Sequence, residues 1–237
     1  VIKVHPSWQK IVESSYAKFT KEYRDFLEAD EGYFPDFSNF LNAFKTLPLD
    51  KTRYILFGQD PYPRQKSAIG YAFIDGAVGE IFSTEGLSKS VNRATSLRNF
   101  IKMLLVARGD LSKEDTTPNA IQKIDKEPLI ATIMELKENF EKNGVLLLNI
   151  ALVFTSKKDT PLHVKEFLPF IKELLSLLRD EDIELIMLGN ISKEIQKKIP
   201  HTQNFSIFEA MHPYNVGFIK DSSVLDFFRP MNLLDKD

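Results

Sequence analysis

At 237 residues and 43% hydrophobic content the chain can bury one sizeable core, and with no signal-peptide-like segment and no apolar run near the roughly 20 residues that span a bilayer it is expected to be a soluble, cytoplasmic, single-domain protein. The absence of cysteine excludes disulfides, thiolate zinc sites, iron–sulfur clusters and cysteine nucleophiles, so any chemistry must come from oxygen and nitrogen side chains. Lys and Arg number 31 against 33 Asp and Glu, so whole-chain charge points to no partner, and local pairs such as Lys157-Lys158 and Lys197-Lys198 could line a groove or simply end solvated helices.

In chain order, Trp8, Ile11, Val12, Tyr16, Phe19, Tyr23, Phe26 and Leu27 recur at helical spacing and predict one long amphipathic helix. Phe37, Phe40, Leu41, Phe44 and Leu47 predict a shorter one. Four apolar runs, 53–57, 145–148, 183–188 and 205–208, read as buried strands. Helical periodicity fills 97–106, 129–140, 164–178 and 191–199, with a further helix near 224–234. Strands alternating with helices imply a three-layer α/β/α domain around a central, mostly parallel four-stranded sheet. The polar stretch 107–128, with two prolines, reads as a surface insertion within a single domain spanning 1–237. Nineteen Phe residues point to a Phe-rich core.

In an open α/β sheet ligands bind beyond the carboxyl ends of the strands, so the residues there carry the functional reading. The first strand empties into Phe57-Gly58-Gln59-Asp60-Pro61-Tyr62-Pro63, the second ends in Asn149, the third in Gly189-Asn190, and the fourth leads to His212-Pro213. Each has an ordinary explanation. Asp60 before proline can stabilise its turn, Asn149 can satisfy nearby backbone, His212 can be an idle loop histidine, and Phe73 can be core. Their shared position at strand ends is what those separate explanations leave out. An acid, an amide, an imidazole and aromatic rings are the parts that hold a planar heterocycle: a stacking face, a hydrogen-bonding edge and ionisable groups.

These residues resemble the family 1 uracil-DNA glycosylases. Gly58-Gln59-Asp60-Pro61-Tyr62-Pro63 is similar to that family's Gly-Gln-Asp-Pro-Tyr-His, and Gly70-Tyr71-Ala72-Phe73 to its Gly-x-Ala-Phe. "GVLLLN", 144–149, resembles its second motif, and His212-Pro213 the start of its His-Pro-Ser-Pro-Leu-Ser loop. The likeness runs from about residue 6 to 234. It implies a cofactor-free, metal-free monomer that hydrolyses the N-glycosidic bond of deoxyuridine in single- or double-stranded DNA, leaving an abasic site in base excision repair. The extruded uracil would stack on Phe73 and pair with the Asn149 amide, with Gln59 alongside and Tyr62 excluding the thymine methyl. Asp60 would support the oxocarbenium-like sugar and the attacking water, and His212 would donate to uracil O2.

The resemblance is incomplete where DNA would be gripped. Pro63 stands in place of the motif's histidine. "HPYNVG", 212–217, puts Val216 at the leucine wedge and Tyr214 at a phosphate-binding serine, while Pro213 and Asn215 complete the DNA-facing loop. The proline-rich phosphate loop is reduced to Arg93-Ala94-Thr95-Ser96, leaving Ser96 and Asn190 as phosphate donors. The alternative is a catalytically weak, glycosylase-like module that binds DNA or a protein partner through the same rim; no inhibitor protein can be named from the sequence.

Overall fold

The computed structural model describes residues 2–236. The expected long helix is two: α1 (Gln9–Tyr16), entered through a 3-10 turn at Pro6–Trp8, and α2 (Lys21–Ala29). Apolar spacing runs straight through the junction, but Thr20 is extended and its hydroxyl accepts from Tyr23 N–H at 3.2 Å. A side-chain cap that satisfies a free amide starts a new helix whatever the periodicity suggests.

The helix expected over 37–47 is likewise reduced to a single turn, α3 (Ala43–Thr46). Upstream, the Asp36 carboxylate collects the Ser38 hydroxyl and the Asn39 amide at 2.7 and 2.9 Å. Such local side-chain bonds compete with helical geometry.

Strand β1 (Tyr54–Gly58) follows, then a small antiparallel pair that periodicity did not signal, β2 (Phe82–Ser83) with β3 (Gly86–Leu87). Next come α4 (Lys89–Arg93) and α5 (Thr95–Arg108). The 107–128 stretch is more structured than its polarity implies: Thr117 caps α6 (Pro118–Gln122), which buries Ile121. Helix α7 (Ile133–Lys142) begins later than expected because Thr132 and Glu135 close a reciprocal capping box. The residues before it go elsewhere, with Ile130 N–H donating to Leu234 O at 2.9 Å.

Strand β4 (Val145–Asn149) precedes α8 (Thr160–Leu177), then β5 (Glu184–Leu188), α9 (Ile191–Lys198), β6 (Ser206–Ala210) and α10 (Ser222–Phe228). The last helix is shorter than its pattern, passing at Pro230 into a 3-10 turn that ends on Asn232 in the left-handed region.

The four-stranded sheet has the order β4-β1-β5-β6 and is parallel throughout, with helices flanking it. Tyr54 to Gly58 pair in register with Val145 to Asn149, and Tyr54 to Phe57 with Glu184 to Met187. Strands this apolar are stable only when both faces are covered.

The chain forms two compact units. The first comprises Val1–Asp75, Gly144–Met187 and Ile191–Phe208, and the second Gly76–Asn143, Leu188–Asn190 and Glu209–Asp237. The first unit's core is aromatic, with Phe19 stacked on Phe170 and edge-on to Phe167, and Trp8 edge-on to Phe44 while its indole N–H donates to Leu47 O at 2.8 Å. In the second, Phe100 meets Phe140, Phe218 and Phe228. Offset and edge-to-face rings add to the area each aromatic buries. No helix among the described residues is long and apolar enough to cross a membrane.

Candidate active site

In the first unit the ends of β1 and β4 are adjacent because their register pairs Gly58 with Asn149. The pairing continues past both strands, with Ile150 N–H donating to Gly58 O at 2.9 Å and Ala151 N–H to Gln59 O at 3.0 Å. A Cβ at position 58 would run into Asn149 Oδ1, so any larger residue there must displace that side chain. The Asn149 side chain therefore lies directly on the backbone that leads to Asp60. Although Asn149 is only 6% exposed, neither amide atom is bonded to protein among the described residues and neither is sealed off. A buried amide normally finds partners, so this one is available to a ligand.

The Asp60-to-Arg64 turn is fastened to a second arm carrying Phe73. Tyr62 O–H donates to Phe73 O at 3.3 Å, Arg64 pairs with the buried Asp75 carboxylate at 3.3 Å, and Ala72 N–H donates to Leu147 O at 3.2 Å. Phe73 sits at φ 64°, a conformation that costs a bulky residue about 1–3 kcal/mol and persists only where the surroundings impose it. Burial pushes the Tyr62 phenol up, with the Asp75 carboxylate adding to the effect, so Tyr62 is un-ionised at neutral pH.

Asp60 is half-buried, and burial raises its pKa while a hydrogen bond from Thr160, Oγ1 to Oδ2 at 2.9 Å, pulls it back. Thr160 is a residue that sequence reasoning missed, lying outside the periodic stretch taken as helix. The only local signal was a helix-starting Asp159-Thr160-Pro161. Gln59, by contrast, is exposed and lines a cavity of about 400 Å³ with Ile150, Pro161, Val164 and Ile191. None of Asp60, Tyr62, Phe73 or Asn149 lines that cavity.

The second unit holds the other candidates. Gly189, at φ 83°, packs so closely on His212 that a Cβ would come within 2.7 Å of the histidine Cβ, and its N–H donates to Ala210 O at 2.8 Å. Asn190 follows it, exposed. The Tyr214 N–H donates to His212 Nδ1 at 3.0 Å. A nitrogen that accepts carries no proton, so the neutral ring bears its hydrogen on Nε2. Desolvation lowers the pKa of His212 even though its side chain reaches solvent, which favours that neutral form.

The loop beyond is propped from below. The buried Asn99 amide donates to Pro213 O at 2.8 Å and to Tyr214 O at 3.3 Å, a role no sequence motif announced. One turn earlier on α5 is Ser96, partly exposed near the helix start. Asn215 accepts from Gly217 N–H at 2.9 Å and caps a 3-10 turn. Tyr214 and Val216 project outward, 70% and 68% exposed. Among the described residues no cluster of three or more His, Asp or Glu is arranged to hold a metal ion.

No family model matches the sequence. The wild-type UNG crystal structure from Nitratifractor salsuginis superposes with a TM-score of 0.97 at 47% identity, covering 99% of this chain and 94% of that one. Uracil-DNA glycosylase from Campylobacter lari is 26% identical over 219 residues, 90% of this chain and 82% of the relative. That from Borreliella burgdorferi is 23% identical over 250 residues, 98% and 96% of the two chains. With near-complete coverage and 47% identity to a UNG structure, the chain belongs to the uracil-DNA glycosylase family.

Proposed function

We propose that the chain is a family 1 uracil-DNA glycosylase in which Asp60 and His212 carry the chemistry and Asn149, Tyr62 and Phe73 select the base. It is a hydrolase that removes uracil from DNA and leaves an abasic site for base excision repair. In this reading it works as a cytoplasmic monomer on single- or double-stranded DNA. The observation that carries the assignment of roles is the adjacency of Asp60 and Asn149 at the ends of two neighbouring parallel strands, with the Asn149 amide unspent.

The steps follow from what each group can do. Extruded uracil presents an N3–H donor and an O4 acceptor, which one amide matches; cytosine inverts both and leaves them unpaired in a dry site. The neutral Tyr62 ring stands where a 5-methyl group would go, and Phe73 supplies a face for stacking. As the C1′–N1 bond breaks, its electron pair leaves with the base and positive charge grows on the sugar. The Asp60 carboxylate stabilises that charge and takes up the proton of the water attacking C1′. The Nε2–H of His212 donates to uracil O2, a bond that strengthens as the base becomes anionic. Gln59 lines the approach to the turn, while Ser96, Asn190, Pro213, Tyr214, Asn215 and Val216 contact the DNA strand around the flipped nucleotide.

The test is a uracil-containing oligonucleotide incubated in EDTA, followed by alkaline cleavage at abasic sites. Wild-type protein is expected to cut single and double strands, and Asp60→Asn to lower kcat by about 10²–10⁴-fold. No cutting of either substrate would favour a binding module with an idle site. Full activity in Asp60→Asn would remove the proposed role of the carboxylate.

A further inference from the structure

We propose that Thr160 is a positioning residue for Asp60, its hydroxyl holding one carboxylate oxygen so that the other is presented to the attacking water. This deepens the reading of Asp60 above and rests on it. The contact joins residues 100 apart in sequence. Thr160 Oγ1 has two acceptors within reach, Asp60 Oδ2 at 2.9 Å and Ser156 O at 3.5 Å. The shorter, charge-assisted bond takes its single proton. Among the described residues Asp60 Oδ1 has no protein hydrogen bond.

Thr160 is itself immobilised. It is the first residue of α8, and the turn that leads into the helix is tied down by Asp159, whose Oδ2 accepts from Ser156 Oγ at 2.6 Å and Thr155 Oγ1 at 3.2 Å. Thr155 also meets His163 Nε2 at 2.9 Å, and His163 Nδ1 meets the Tyr23 hydroxyl at 2.6 Å. Both histidine nitrogens are thereby engaged inside the core. A β-branched side chain on so fixed a backbone has little rotamer freedom, and the hydroxyl stays aimed at Asp60.

Two opposed influences bear on Asp60. Burial favours the neutral acid and the bond from Thr160 favours the anion. A carboxylate that must be negative at the moment of bond cleavage is held in one orientation by this hydroxyl, which also favours its charged form.

The experiment compares Thr160→Val, which keeps the shape and removes the donor, Thr160→Ala, which removes it without adding a methyl, and Thr160→Ser, which restores it. Rates are normalised to folded protein measured by circular dichroism. Val and Ala are expected to lower kcat roughly 10- to 100-fold, from loss of a hydrogen bond to a charged group, with KM within about twofold. Their acid limb in the kcat/KM profile should move to higher pH, and Ser should return both quantities to wild type. Wild-type kcat in either Val or Ala, or a fall in kcat with an unmoved acid limb, would overturn the proposal. If wild-type protein releases no uracil, the reaction itself is misassigned. If it is active and fails on Asp60→Asn while ignoring Thr160→Val, only the positioning role is lost.

Discussion

Replacing Gly58 with alanine tests whether the contact between β1 and Asn149 organises the site. The backbone there is not in the left-handed region, so alanine brings no conformational penalty. The whole effect is steric: the new methyl would overlap Asn149 Oδ1 and lie 3.1 Å from Ala72 Cβ. Asn149 must retreat by more than about 1 Å to reach ordinary contact distance. Overpacking of this kind costs about 1–3 kcal/mol, which in a chain of this size lowers Tm by roughly 2–12 °C. A displacement of about 1 Å in a group that orients substrate costs on the order of 100-fold in rate. Thermal unfolding and kcat/KM on a uracil oligonucleotide measure the two effects separately. Gly79→Ala is the control, since a Cβ there meets nothing within 4 Å, and both readouts should stay at wild type. Gly58→Ala with unchanged Tm and unchanged kcat/KM would refute the contact's importance. A lower Tm with unchanged kcat/KM would show that Asn149 does not need that position.

Asn149→Asp should lower uracil excision by at least about 100-fold and make cytosine release measurable, because a protonated carboxyl can serve the cytosine edge; exclusive use of uracil by the variant would count against Asn149 as the reader of the base. His212, whose pKa desolvation pushes below the ordinary imidazole value, should be neutral at pH 7 and take up its proton only under more acidic conditions than a free imidazole. Nitrogen-15 NMR should find the Nε2–H tautomer at pH 7, and an imidazolium or Nδ1–H signature would contradict the geometry set by Tyr214 N–H.

The sheet was legible because its four strands are short apolar runs separated by helical periodicity, and that alternation allows few architectures. The helix breaks were not, because Thr20, Asp36 and Thr132 act through local side-chain hydrogen bonds that leave the apolar spacing intact. Asp60 and Asn149 could be nominated because strand ends are where α/β sheets bind ligands, and the register does place those two strand ends side by side. Thr160 and Asn99 could not, since each acts on a partner about 100 or more residues away in the chain. Local pattern carries no information about such a contact. Only the folded backbone brings the pairs together.

The same distinction explains where this chain departs from the family pattern. Val216 and Tyr214, which the resemblance sets against a leucine and a serine in the loop proposed to face DNA, stand 68–70% exposed with nothing packed over most of their surface. Exchanging such groups costs the fold little. The loop backbone beneath them is held independently of their identity, by Asn99 through the Pro213 and Tyr214 carbonyls and by Asn215 through Gly217 N–H. Around the groups proposed to read the base the situation reverses. A methyl at Gly58 strikes Asn149, one at Gly189 strikes His212, and Phe73 keeps a strained φ under bonds from its neighbours. On the proposed roles, a change there would move a group that must hold its position to about an ångström. On the proposed roles, divergence can remodel how the strand is gripped while the geometry of base excision stays fixed, because the first rests on exposed side chains and the second on close-packed backbone.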